Sequence, residues 1–229
     1  MTDSNDQWIE QLKGRFLVFD GPDGGGKTTQ YRRFLQYVQE RGITVCEVRE
    51  PGGTPIGEQI RNVLLDPAND DMDLICEMLL YMASRAQLVA QRIRPAMDRG
   101  ELVLADRFIS STLAYQGTAG GIPVADILRV GQIALGQCWP NLVIIFDVDI
   151  RTAAQRMNPL LRGREFDSDL DRMELKGEQY HRTVRQGYLE QAKSDPNRHL
   201  VIDATQEEDP VFEDLIRALQ QKLAGGDLV

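Results

Sequence analysis

Apolar residues along the chain fall into two alternating patterns. Short continuous runs occupy 16–19, 43–48, 102–105, 142–146 and 200–202, and between them lie longer stretches with apolar positions three and four apart. A continuous run of strand length reads as a strand buried on both faces, and the spaced pattern reads as a helix with one covered side. Alternation of the two predicts an α/β fold: a five-stranded parallel sheet with helices on both faces. The longest helical pattern runs from Asp73 to Gly100. Asp73 is placed to cap its start, Leu79, Leu80, Met82, Ala83, Ala86, Leu88, Val89 and Ile93 supply apolar positions, and Gly100 should end it. Pro95 should bend it or begin a new turn, because proline breaks the helical hydrogen-bond ladder. Repeats, low-complexity stretches and Pro/Gly/Ser-rich linkers are missing from the sequence, so its 229 residues read as one domain. The segments 1–12 and 224–229 are expected to be mobile tails.

Chemistry enters just after the first apolar run. Gly21-Pro22-Asp23-Gly24-Gly25-Gly26-Lys27-Thr28 fits G-x-x-x-x-G-K-[ST] at every fixed position. Phe16–Phe19 precedes it as a strand, and a helical pattern opens at Thr28, which is the context the motif requires. Glycines let such a loop aim several backbone N–H groups at a polyphosphate, and the helix start adds free N–H groups and a positive dipole end. Lys27 supplies charge against the phosphates, and the Thr28 hydroxyl suits Mg²⁺. Residues 21–28 are therefore the expected ATP-binding loop of a P-loop NTPase fold.

Composition narrows the partners. With 26 Lys plus Arg against 35 Asp plus Glu, the net charge is -9, which argues against a polymeric nucleic acid. Hydrophobic residues at 42% and charged residues at 27% describe a globular chain with a core. No apolar run approaches the roughly 20 residues of a membrane helix. The polar start, Met1-Thr2-Asp3-Ser4-Asn5-Asp6, is no secretory signal, so a cytoplasmic enzyme is expected. Cys46, Cys76 and Cys138 lack metal spacing and are expected to be buried thiols; His181 and His199 alone supply a zinc site poorly. Two loops are too specific to be spacers. One is Arg49-Glu50-Pro51-Gly52-Gly53-Thr54-Pro55. The other, Met157 to Arg172, carries Arg162, Arg164 and Arg172 and reads as a lid that brings positive charge to a transferring phosphoryl group.

Four segments taken together carry a resemblance: the P-loop; Arg49-Glu50-Pro51-Gly52-Gly53-Thr54; Leu79-Leu80-Tyr81-Met82-Ala83-Ser84-Arg85-Ala86-Gln87; and Asp106-Arg107-Phe108 followed by Ser111-Thr112-Leu113-Ala114-Tyr115-Gln116. Their order and spacing resemble the bacterial-type thymidylate kinases over roughly residues 15 to 220. That resemblance implies phosphorylation of dTMP to dTDP by ATP with Mg²⁺, and a homodimer in which the 73–95 helix is an interface element. It assigns Thr28 and Asp106 to the metal or its waters, and Arg107 to the acceptor phosphate. Arg61 and Arg49 fall near the same phosphate, Arg61 as the closer match to a direct contact. Tyr81 takes the place of a phenylalanine that stacks on thymine, and Arg85 addresses the thymine carbonyl edge. Ser111, Thr112, Tyr115 and Gln116 border base and deoxyribose, although Thr112 departs from the residue some members have there. Asp23 resembles a carboxylate that contacts the sugar 3′-hydroxyl. Some members carry an arginine inside the P-loop; here it is absent, so Arg162 and Arg164 on the lid are the expected suppliers of catalytic charge, with Arg156 and Arg172 next. Asp20 replaces a common glutamate. Rival readings are another nucleoside or nucleoside-monophosphate kinase, a GTPase-type switch, for which no N-K-x-D motif occurs, and a nucleotide-binding protein without turnover.

Overall fold

Strand β1, Phe16–Asp20, is buried at all five positions and lies in the middle of the sheet. It pairs in parallel with β3, Leu102–Asp106, on one side and with β4, Leu142–Asp147, on the other. β2, Val45–Arg49, and β5, His199–Asp203, complete a parallel sheet of order β2-β3-β1-β4-β5. The computed structural model describes residues 7–157, Met173 and 177–225. All five expected strands are present, each within two residues of its apolar run.

Successive strand side chains point to opposite faces, and this divides the core in two. Phe16, Val18, Val103, Ala105, Val143 and Ile145 face one cluster with Met78, Met82, Phe108 and Tyr188. Leu17, Phe19, Leu102, Leu104, Leu142 and Ile144 face the other, with Tyr31, Phe34 and Leu215. The helices covering these faces are α2 (Lys27–Gln39), α3 (Pro55–Leu65), α4 (Leu74–Leu88), α5 (Arg94–Asp98), α6 (Ile109–Thr112), α7 (Val124–Leu135), α8 (Ile150–Met157), α9 (Glu178–Ser194) and α10 (Glu208–Ala224). The Asp73 carboxylate accepts from the Ile75 and Cys76 amides and caps α4, as its position suggests. The pattern over 73–100 continues past α4 through a π-helical turn, Val89–Ile93, into α5, whose second residue is Pro95. The π turn accommodates the proline without ending the helix.

Two expectations need correcting. Residues 7–12 are not a loose tail: Gln7–Glu10 forms a short helix, α1, and Trp8, Ile9 and Leu12 are buried beside α10. Three apolar side chains in six residues gain enough burial to hold the segment down. At the other end, α10 carries order through Ala224, and 226–229 lie outside the described residues. Cys46 and Cys138 are buried, but Cys76 is exposed on the outer side of α4.

Candidate active site

The C-terminal ends of β1 and β3 deliver the chemistry. Register places Phe19 opposite Asp106, so the P-loop leaves the sheet beside Asp106 and Arg107. Clefts at the carboxyl ends of parallel strands are where open α/β sheets bind ligands. Two P-loop glycines have steric reasons to be there. Gly21 sits at φ 131° and a Cβ would lie 2.6 Å from the Phe146 carbonyl; Gly24 sits at φ 78° and a Cβ would lie 2.8 Å from the Ala153 backbone. No side chain fits either position. Lys27 is buried, and its Nζ donates to the Gly21 and Pro22 carbonyls at 2.9 and 2.8 Å. Burial and the neighbouring Arg107 bring Lys27 down to about 8 against the pull of Asp23, Asp20 and Asp106.

Two cavities open on either side of this point. The donor-side cavity, about 660 Å³, is lined by Asp23 to Gln30, Asp106, Arg107, Arg156 and the 204–208 turn. Thr28 and Asp106 share it, and hard oxygen donors of this kind fit a Mg²⁺ ion that keeps most of its waters. The second cavity is a slot of about 130 Å³ lined by Asp23, Glu50, Arg61, Tyr81, Arg85, Arg107, Ser111, Thr112, Tyr115 and Gln116. Asp23 and Arg107 line both.

Those two residues are ion-paired through the Arg107 Nη2 and Asp23 Oδ1 atoms. The Tyr115 hydroxyl donates to the other Asp23 oxygen at 2.8 Å. Burial opposes ionisation of Asp23, but Arg107, Lys27 and the Tyr115 bond outweigh it and hold its carboxyl well below the usual range. Arg107 is also the one non-glycine residue with positive φ, 67°, among the described residues. A bulky side chain in that region is strained and persists where its surroundings over-determine it. Ser111 and Tyr188 supply that constraint, with oxygens 3.1 and 3.2 Å from Arg107 Nη1.

Beneath them lies Asp20, fully buried. It accepts from the Gly21 amide, Ser110, Ser111 and Tyr188 at 2.6 to 2.9 Å. The Asp20 carboxylate is engaged by the protein itself and ties α6 and α9 to the P-loop, which sequence reasoning did not foresee.

Deeper in the slot, Arg85 is 1% exposed and pairs with Glu50, 3% exposed, at 2.6 Å through Nη2 and 2.7 Å through Nε. The same Nη2 also donates to Thr112 Oγ1 at 3.2 Å. Burial pushes Glu50 up to about 7 while Arg85 pulls it down. Gln116 donates to Glu77 at 2.7 Å. Glu50 and Glu77 are partners that sequence reading missed. The available signal for Glu77 was its spacing, four residues before Tyr81 and eight before Arg85, which puts all three on one face of α4.

The slot therefore gathers Asp23, Arg61, Tyr81, Arg85, Arg107, Ser111, Thr112, Tyr115 and Gln116. It does not gather Arg49, whose guanidinium is bound by both Glu58 oxygens at 2.8 and 2.9 Å on the outer side of the loop. Arg61 anchors on the Pro51 carbonyl at 3.0 Å. Arg162, Arg164 and Arg172 lie outside the described residues. Arg156 is described: it lines the donor cavity and donates to the Ala204, Thr205 and Gln206 carbonyls at 2.6, 3.3 and 2.8 Å.

Comparison with known proteins points one way. The profile of the thymidylate kinase family matches residues 19–215. The thymidylate kinase of Symbiobacterium thermophilum is 42% identical over 208 residues, which cover 91% of this chain and 94% of that one. That of Deinococcus radiodurans is 40% identical over 214 residues, covering 92% and 98%. The crystal structure of thymidylate kinase from Ehrlichia chaffeensis superposes with a TM-score of 0.71 at 31% identity, over 90% of this chain and 98% of that one.

Proposed function

The chain belongs to the thymidylate kinase family, and on that footing we propose that it transfers the γ-phosphoryl group of ATP to dTMP, giving dTDP for dTTP synthesis. The observation that carries this reading is the pair of cavities meeting at Asp23 and Arg107. A polyphosphate on the P-loop and a monophosphate in the slot would face each other across those two residues. Another monophosphate kinase, a GTPase-type switch or an inactive binder has no comparable support from the relatives.

The proposed roles are these. Backbone amides of 21–28 and the Lys27 ammonium cradle the donor phosphates. Thr28 and Asp106 would hold Mg²⁺, which neutralises charge on the transferring group when bound. Arg107, with Arg61 beside the same slot, clamps the acceptor phosphate; a guanidinium binds phosphate oxygens in pairs. Asp23 and Tyr115 border the deoxyribose and keep Arg107 in place. Tyr81 offers an aromatic face to the base, and Arg85 offers donors to a carbonyl. Arg49 supports the loop through Glu58 rather than touching phosphate. Arg162 and Arg164 are the positive charges proposed to reach the transferred group on lid closure, since the P-loop interior carries no arginine. Positioning and charge neutralisation supply the rate, with no covalent intermediate.

The whole chain acts as one domain in the cytoplasm; among the described residues no helix is long and apolar enough to cross a membrane. A homodimer across α4 is supported by Ile75 and Leu79, each 48% exposed on that helix. The deciding experiment is a coupled assay of ADP release over dTMP, dUMP, dCMP, dGMP and AMP. Strong dTMP-dependent release is expected. A preference for dCMP or dGMP overturns the substrate, and no acceptor-dependent release overturns the kinase reading.

A further inference from the structure

We propose that Glu77 is a positioning residue for base choice: it fixes the Gln116 amide so that the carbonyl oxygen, not the NH₂ group, is presented to the nucleobase. The proposal rests on the reading of the slot as the site of a thymine nucleotide.

Gln116 lines the slot and is 2% exposed; Glu77 is 1% exposed. Gln116 Nε2 donates to Glu77 Oε1 at 2.7 Å. A glutamine amide can present either edge after a half-turn, and here the Glu77 carboxyl oxygen accepts from the NH₂ edge. Glu77 therefore selects the NH₂ edge for itself and leaves Oε1 as the edge Gln116 has to offer. Arg85 is fixed in the same manner by Glu50 and Thr112, and a guanidinium only donates. The slot then carries a donor from Arg85 and an acceptor from Gln116, each held by its own buried carboxylate. Thymine and uracil present a carbonyl acceptor at C4 and a donor at N3, which complements that pair. Cytosine presents an amino donor at C4 and an acceptor at N3, which opposes both. Glu77, Tyr81 and Arg85 share one face of α4, so stacking and both edge contacts are referenced to a single rigid helix.

The test is the ratio of kcat/KM for dTMP over dCMP. Glu77→Gln can accept as well as donate, so Gln116 is free to turn and donate to cytosine N3. One of the two cytosine mismatches is removed, and the ratio should fall about tenfold or more, the worth of one buried unpaired group. The exchange Glu77→Gln with Gln116→Glu leaves an acceptor facing the base and should restore the ratio to within about threefold of wild type, since an unpaired group is again avoided. A folded Glu77→Gln variant whose ratio stays within about twofold of wild type overturns the proposal, because a merely structural role would lower both substrates together. If Glu77→Gln does not fold, the exchanged variant decides: a kept dTMP preference supports the proposal and a lost one overturns it. If neither folds, the neutron structure of the wild-type dTMP complex decides, because neutrons distinguish the amide oxygen from the deuterated nitrogen. Gln116 Oε1 within hydrogen-bond reach of thymine N3 supports the proposal, and a reversed amide or no base contact overturns it. Absence of dTMP preference in the wild type refutes the substrate reading instead, and leaves the two failures distinguishable.

Discussion

The two cavities are built from different materials. The donor cavity, about 660 Å³, is lined by a loop whose chemistry is mostly main chain, with Lys27 as its buried charge. The acceptor slot is smaller, about 130 Å³, and several of its side chains are held by a second one: Arg85 by Glu50, Gln116 by Glu77, Asp23 by Arg107 and Tyr115. A polyphosphate is the same in every nucleotide, so amides suffice to hold it. Choosing one base requires donors and acceptors that cannot turn, and each fixed group needs a partner of its own. Recognition in the slot is therefore paired and breakable at both members.

The largest expected effect breaks that pairing. Arg85→Ala leaves the Glu50 carboxylate buried without its partner and should cost about 3–5 kcal/mol of stability. The exposed pair Arg49–Glu58, with side chains 48% and 42% accessible, should cost only about 0–1 kcal/mol when Arg49 becomes alanine. Urea unfolding of both variants measures the contrast. Equal losses would remove the distinction between slot and rim.

Next comes the donor side. Lys27→Ala should lower kcat about 10²-fold or more, equivalent to about 2.7 kcal/mol of barrier. Stopped-flow or steady-state rates at saturating dTMP measure it; near-normal turnover would refute the donor assignment. The same order of loss, about 10²-fold in kcat with a much smaller change in KM for dTMP, is expected for at least one of Arg162→Ala and Arg164→Ala. A double variant with wild-type kcat would move that role to Arg156 or Arg172.

Smaller effects sharpen the boundary between the cavities. Tyr115→Phe removes a hydrogen bond to the ionised Asp23 and should reduce kcat/KM for dTMP about tenfold, with less effect on ATP affinity. A loss confined to ATP would place Asp23 in the donor site alone. The smallest is a pH effect. Burial and Arg107 lower Lys27 to about 8, so its charge is present below that pH and lost above it. ATP binding should weaken above pH 8, by at most about tenfold per pH unit. Calorimetric titration across pH 7 to 9.5 reads this limb, which Lys27→Ala should lack.

The same contrast explains what could be read without a structure. The P-loop is local: its fixed glycines Gly21 and Gly26 take positive φ, 131° and 71°, and at Gly21 a Cβ would also meet the Phe146 carbonyl, so the spacing survives in the sequence. The strands were legible because a doubly covered strand is mostly apolar, as β1 is over Phe16–Phe19. The slot's holding groups were not, because Glu50 and Arg85 lie 35 positions apart, Gln116 and Glu77 39, and Asp20 and Tyr188 168. Nothing in a run of residues announces such a partner; only the fold brings it near. Trp8, Ile9 and Leu12 escaped notice for a related reason, since four helical residues are too few for a period and their burial depends on α10. Cys76 was misplaced because an apolar segment does not say which of its positions face outward.

The central claim is that one loop holds the donor phosphates while the slot alone chooses the acceptor. Competition tests it most directly: ATP is supplied with an equimolar mixture of dTMP, dCMP, dGMP and AMP, and the diphosphates formed are separated and quantified for wild type and Lys27→Ala. The account predicts that dTDP dominates in both, with total product greatly reduced but product proportions unchanged in the variant. A dominant dCDP or dGDP, or proportions that shift when Lys27 is removed, would contradict it.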